Sequence, residues 1–146
     1  MCHPLILGSV EPLPISKYVP DQVEDGWNIY VTSIGQAISL IGQAFSLDAL
    51  AIFSTRDLYY IYARHTGDAC GFWGNYEEAR NAREELAVFL ERSLELVADL
   101  QLYVAETYFG KSGVIPTNFK YIGPSDIRTW LPGFLEGDFF QVIREE

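Results

Sequence analysis

Between Asn75 and Gly110 the chain keeps apolar side chains at intervals of three and four: Ala79, Ala82, Leu86, Phe89, Leu90, Val97, Leu100, Val104 and Tyr108. No other feature constrains the fold as much, because a helix with such a stripe must bury one side along its whole length. Asn75 stands where a side-chain cap would sit and Glu78 where the third helical residue would, an Asn version of the capping box. Gly110 followed by Lys111 supplies a stop. The pattern predicts one helix over about 76–109, roughly 45–50 Å long at 1.5 Å per residue. A domain of this size is roughly 30–40 Å across. Such a rod must break near Ser93 or overhang and meet a partner.

The segments around it read less sharply. Residues 1–25 contain Pro4, Pro12, Pro14 and Pro20 and form an extended arm, with Leu5, Ile6, Leu7, Leu13 and Ile15 to pack against the domain or a second subunit. Residues 28–46 have helical spacing at Tyr30, Ile34, Ala37, Ile38, Ile41, Ala44 and Phe45. They include the tandem repeat Ile34-Gly-Gln-Ala-Ile-Ser-Leu and Ile41-Gly-Gln-Ala-Phe-Ser-Leu. Residues 50–64 place two aromatic and β-branched runs around Thr55-Arg56-Asp57, which predicts a β-hairpin, with a helix over 47–65 as its rival. Residues 114–122 suggest a strand that Pro116 confines to a sheet edge. Ser125 could cap a short helix ending before Pro132, and 134–143 a last one. The resulting expectation is a mostly helical α+β fold in one domain spanning 1–146, with an all-α bundle as the alternative.

Charge narrows the classes of partner. The chain has 146 residues and a net charge of −10, with 10 basic side chains against 20 acidic ones. Direct nucleic-acid binding needs cations to neutralise phosphates, and anionic membranes need them as well, so neither is expected as a partner. A basic protein partner is expected instead. Apolar residues make up 49% and charged ones 21%, more oil and less charge than a minimal soluble domain carries. That surplus predicts a covered apolar surface, most simply in a homodimer, or an apolar pocket.

The acidity concentrates on the long helix, where residues 76–109 hold eight acids against three arginines. Glu84, Glu91, Glu95, Asp99 and Glu106 recur at helical intervals. On one helix, Glu91/Glu95 and Glu95/Asp99 repel as i,i+4 neighbours, costing a few tenths of a kcal/mol each. This stripe is the candidate partner-binding surface of an inhibitor, immunity protein or adaptor.

The other motifs carry less. Ala105-Glu-Thr-Tyr-Phe-Gly110-Lys111-Ser112 matches a relaxed phosphate-loop pattern. It would end a helix rather than open one, so no helix N-terminus would face a nucleotide. Cys2, His3, His65 and Cys70 are all the Cys and His residues, in spacings unsuited to a zinc site. His3 in third place could hold Cu²⁺ or Ni²⁺ only as an exposed chain terminus commonly does. Neither a metal nor any other cofactor is expected. Cys70, His65 and Asp68 form the one local Cys/His/Asp group, without a flanking signature for catalysis, so the chain reads as non-catalytic. A second site reading, a small-molecule pocket or modest enzyme, would gather Tyr60, Tyr62, His65, Cys70, Phe72 and Trp73 around the 65–73 loop. Two cysteines argue against a disulfide-built scaffold. The first residues lack a basic, then apolar, leader, so a cytoplasmic location is expected.

Overall fold

The computed structural model describes residues 5–15, 18–19, 27–33, 55, 57–67, 69–104, 118–129 and 138–145. In chain order these form β1 (Leu5–Ser9), β2 (Ile29–Ser33), β3 (Asp57–Ala63), a 3₁₀ turn (Ala69–Phe72), α1 (Glu77–Leu96), β4 (Leu100–Val104), β5 (Asn118–Ile122), α2 (Pro124–Arg128) and β6 (Asp138–Val142). The six strands make one sheet in the order β2-β3-β1-β4-β6-β5. All neighbours are antiparallel except β5 and β6, which run parallel with α2 between them in sequence. Strand accounts for 36% of the described residues and helix for 34%. The domain is therefore built on a mixed sheet, not the mostly helical fold or the all-α bundle expected.

Each correction has a local cause. β1 reads Leu-Ile-Leu-Gly-Ser, apolar at both parities, as suits a strand covered on two faces. Leu5, Ile6 and Leu7 are fully buried, with β3 on one edge and β4 on the other. The region expected as an arm thus supplies an inner strand. The helix expected over 28–46 begins instead as β2. Its Ile-Tyr-Val-Thr-Ser is rich in β-branched and aromatic side chains, which fit a pleated sheet better than a helix. Residues 34–46, with the tandem repeat, lie outside the described residues.

Of the hairpin expected over 50–64, with a helix over 47–65 as its rival, the described residues form the strand β3, which pairs with β1 and β2; residues 50–54 lie outside the described residues. Of the C-terminal helix expected at 134–143, the described part is the strand β6 (Asp138–Val142), and residues 134–137 lie outside the described residues. The edge strand expected near 114–122 is β5, at the end of the sheet.

The long helix is cut short. α1 ends at Leu96, and its C-cap Val97 adopts extended dihedrals, φ −131° and ψ 149°. Leu100, Leu102 and Val104 then face the core from β4 while Gln101 and Tyr103 face the opposite side. Leu100 and Val104 fit a helical interval of four, but Leu102 between them gives a period of two, and pairing with β1 and β6 favours the strand. At its start, α1 has Tyr76 rather than Asn75 as N-cap, with no side-chain cap. Asn75 instead accepts hydrogen bonds from Arg80 through its carbonyl (3.1 Å) and its side-chain oxygen (3.2 Å).

α1 lies across one sheet face. Leu86, Phe89, Leu90 and Leu94 meet Leu5, Leu7, Ile29, Val31, Ile61, Leu102 and Phe140 in one core. Each such side chain contributes about 1.5–3 kcal/mol by leaving water. The segment after β1 joins this layer: Leu13 N–H donates to Tyr59 Oη at 2.8 Å, and Tyr18 packs edge-on against Phe89 at 5.0 Å. α2 packs on α1. Its N-cap is Gly123, not Ser125: Asp126 accepts the Gly123 N–H at 2.9 Å, and Pro124 occupies the first turn, where its missing N–H costs nothing.

Candidate functional site

The C-terminal half of α1 and the chain after β6 form the two sides of an open groove. One stretch, about 450 Å³, is lined by Glu91, Leu94, Glu95, Pro124, Arg144 and Glu145. The next, about 500 Å³, is lined by Leu94, Ala98, Asp99, Gln141, Val142, Ile143 and Arg144. Leu94 and Arg144 belong to both, so the two stretches share a wall. Ile143, 43% exposed, adds apolar surface to the second stretch.

This groove gathers three of the five predicted carboxylates, Glu91, Glu95 and Asp99, and adds Glu145, which no helical pattern could suggest. Glu84 sits two turns earlier on α1. Glu106 lies outside the described residues. The single rod of five carboxylates is thereby replaced by a shorter helix whose acidic end meets the chain's own C-terminal segment.

Two arginines partly answer these charges. Arg128 on α2 pairs with Glu91 (Nη1–Oε1, 2.5 Å) and with Glu84 (Nε–Oε2, 2.7 Å). Those hydrogen bonds, to Glu91 first and Glu84 next, push the Arg128 guanidinium further above the ordinary arginine range. Arg144 donates to the carbonyl of Leu94, one of the four carbonyls that the end of a helix leaves without an internal partner. Ser125 binds the Glu145 carboxylate through its hydroxyl and, at 2.5 Å, its backbone N–H, which lowers the Glu145 pKa from its ordinary value. Asp99 accepts a long hydrogen bond, 3.4 Å, from Gln141. Glu95 has no hydrogen-bond or ion-pair partner among the described residues.

The helix itself adds to the negative field. Its C-terminus carries about half a unit of negative charge, which favours cations by about 0.3–1 kcal/mol each and disfavours carboxylates by as much. The last turn of α1 nevertheless contains no basic residue. Glu95 stands there, one turn after Glu91, a repulsive pair. A helix shaped by stability alone would place lysine or arginine at this end.

Among the described residues, the side chains of the second site reading divide between the two faces of the sheet. Tyr60 and Tyr62 lie on the sheet face away from α1, stacked with each other and with Tyr30 at about 5 Å. Phe72 is fully buried in the core on the α1 side, and Trp73 packs against that core. His65 is occupied by Tyr76, Nε2 to Oη at 2.9 Å. Cys70 is disulfide-bonded, which removes the thiolate that nucleophilic chemistry would need. Among the described residues, no three His, Cys, Asp or Glu side chains are grouped to hold a metal ion.

Compared with known proteins, the chain matches no family model, no curated protein and no solved structure. Its function is therefore argued from the groove alone. Among the described residues no helix is long and apolar enough to cross a membrane.

Arg128, Arg144, Glu145 and Ser125 were missed by sequence reasoning. Each lies at least 30 residues from the α1 carboxylates, and only the fold makes them neighbours. The one available signal was the run Arg144-Glu145-Glu146, charged residues closing an apolar strand.

Proposed function

We propose that this domain is a non-catalytic, acidic protein-binding module, acting as an inhibitor, immunity protein or adaptor. Its groove at the C-terminal end of α1 seats a basic segment of a protein partner. The observation that carries this reading is the placement of Glu91, Glu95, Asp99 and Glu145 around one open groove at the negative end of a helix that lacks its own terminal cation. An arginine or lysine entering it meets carboxylates and helix carbonyls together, while Ile143 offers contact to an apolar neighbour on the same segment. The same charge argues against nucleic acid and anionic membrane as direct partners, because it would repel them.

A defined probe tests the reading: a fluorescent peptide alternating arginine and leucine, titrated with the full chain. Binding should weaken at least tenfold as salt rises from about 20 to 200 mM, since exposed charge contacts are screened over about 10 Å at 0.1 M. It should weaken tenfold or more in the Glu95→Lys, Asp99→Lys double variant. NMR shifts should centre on residues 91–99 and 141–145. Equal binding by the charge-reversed variant, or shifts centred elsewhere, removes the groove as the site.

A further inference from the structure

We infer that the domain carries a second binding site, for an apolar monocarboxylate of the medium-chain fatty-acid kind, in a cleft across α1 from the acidic groove. Arg92 takes the carboxylate there, and an apolar floor takes the tail.

The cleft follows from the course of the chain after β1. That segment turns at Ile15, whose carbonyl accepts the Tyr18 N–H at 2.8 Å, and it brings Pro14 and Tyr18 alongside α1. At about 3.6 residues per turn, Phe89 and Leu96 leave the helix on the side opposite Glu91 and Leu94. The space between helix and segment, about 200 Å³, is lined by Pro14, Tyr18, Phe89, Arg92, Ser93 and Leu96. Tyr18 and Phe89 form its buried floor, ring centroids 5.0 Å apart and edge-on. The Ser93 hydroxyl donates to the Phe89 carbonyl at 2.8 Å, so its proton is already spent. Leu96 is 60% exposed, and a tail lying in the cleft would complete its burial.

The charge comes from Arg92. Among the described residues it is the one basic side chain with neither a hydrogen bond nor an ion pair. Arg64, Arg80, Arg83 and Arg144 donate to carbonyls, while Lys120 and Arg128 meet carboxylates. The chain has 20 acidic side chains, yet none of the described ones engages Arg92. Its planar fork of N–H groups matches a carboxylate, which it can hold by two parallel hydrogen bonds. The chain's wider negative field acts against polyanions. It is screened over about 10 Å at 0.1 M salt, so a lone carboxylate in contact answers to Arg92.

The next stretch sets the direction. Past Tyr18 and Arg92 the cleft continues for about 290 Å³ to Asn81, Glu84, Glu85 and Val88. Glu84 and Glu85 repel a carboxylate moving that way, so the head group stops at Arg92 and the tail lies toward Phe89 and Leu96. They also disfavour a second negative charge, which selects a monocarboxylate over a dicarboxylate.

The test is an NMR titration of the isotope-labelled full chain with sodium octanoate. Shifts should centre on residues 14, 18, 89 and 92–96. Binding should tighten about two- to fourfold per methylene from butanoate to octanoate, as the tail leaves water. Octanol, which keeps the tail without the charge, and octanedioate, which adds a second charge, should each bind at least about fivefold more weakly. Arg92→Gln should weaken octanoate at least about tenfold at unchanged Tm, and Arg92→Lys should recover part of that loss. Leu96→Ser should weaken octanoate and octanol alike. No saturable shifts at about 20 mM octanoate, equal binding of octanol, an indifferent Arg92→Gln variant, or shifts centred elsewhere each overturn the inference. None of these results bears on the acidic groove, whose walls lie across the helix.

Discussion

The two halves of α1 use their charged residues in opposite ways. In the N-terminal half Arg83 and Glu85 are spent inward, while Glu77, Glu78, Arg80 and Glu84 stay exposed. Arg83 is 3% exposed and donates to the carbonyls of Phe72 and Gly74, with no carboxylate partner among the described residues. Burial first, and the Arg80 charge second, lower its pKa from the ordinary arginine value. Glu85 accepts the backbone N–H groups of Asn28 and of Ile29, the latter at 2.9 Å, and so pins β2 to the helix. In the C-terminal half the carboxylates face an open groove at the helix end least suited to them. One half holds the sheet together; the other forgoes some stability and leaves a field for something else to satisfy.

Three substitutions would break or sharpen this contrast. Arg83→Met should have the largest effect, about 2–3 kcal/mol of lost stability by urea denaturation, because two carbonyls lose a charged donor in a site with little water. An unchanged midpoint would mean that Arg83 does not organise the turn. Glu85→Ala should cost about 1–2 kcal/mol and speed hydrogen exchange at Ile29, since two backbone N–H groups lose their acceptor. Equal exchange at Ile29 would show that β2 does not need the helix. Glu95→Lys, in the other half, should raise stability by about 0.5–1 kcal/mol at low salt, as it removes a repulsive pair and puts a cation at the helix C-terminus. A loss of stability there would mean that the acidic end is structural after all.

The existence and face of α1 were legible because propensity and periodicity agree from Glu77 to Leu96. Beyond that point Leu100 and Val104 satisfy two periods at once, and only the vacant edges of β1 and β6 decide between them. β2 and β6 were misread for a related reason: short apolar runs suit either state until their neighbours are known. Of the site, Glu91 and Glu95 could be read from the helix. Asp99 reaches the groove from beyond the helix end, and Arg128, Arg144 and Glu145 arrive through the crossover from β5 to β6, which nothing local announces.

The central position of β1 has a consequence for the order of events during synthesis. The strand leaves the ribosome before its neighbours in the sheet, and its second edge stays open until residues 100–104 have been made. At about 5–20 residues per second that is a wait of roughly 5–20 s, during which an oily, half-paired strand is on offer to other chains. Closure of the sheet is thus tied to the synthesis of β4, and a holdase that shelters Leu5–Leu7 in the interval would raise the yield more than one acting later.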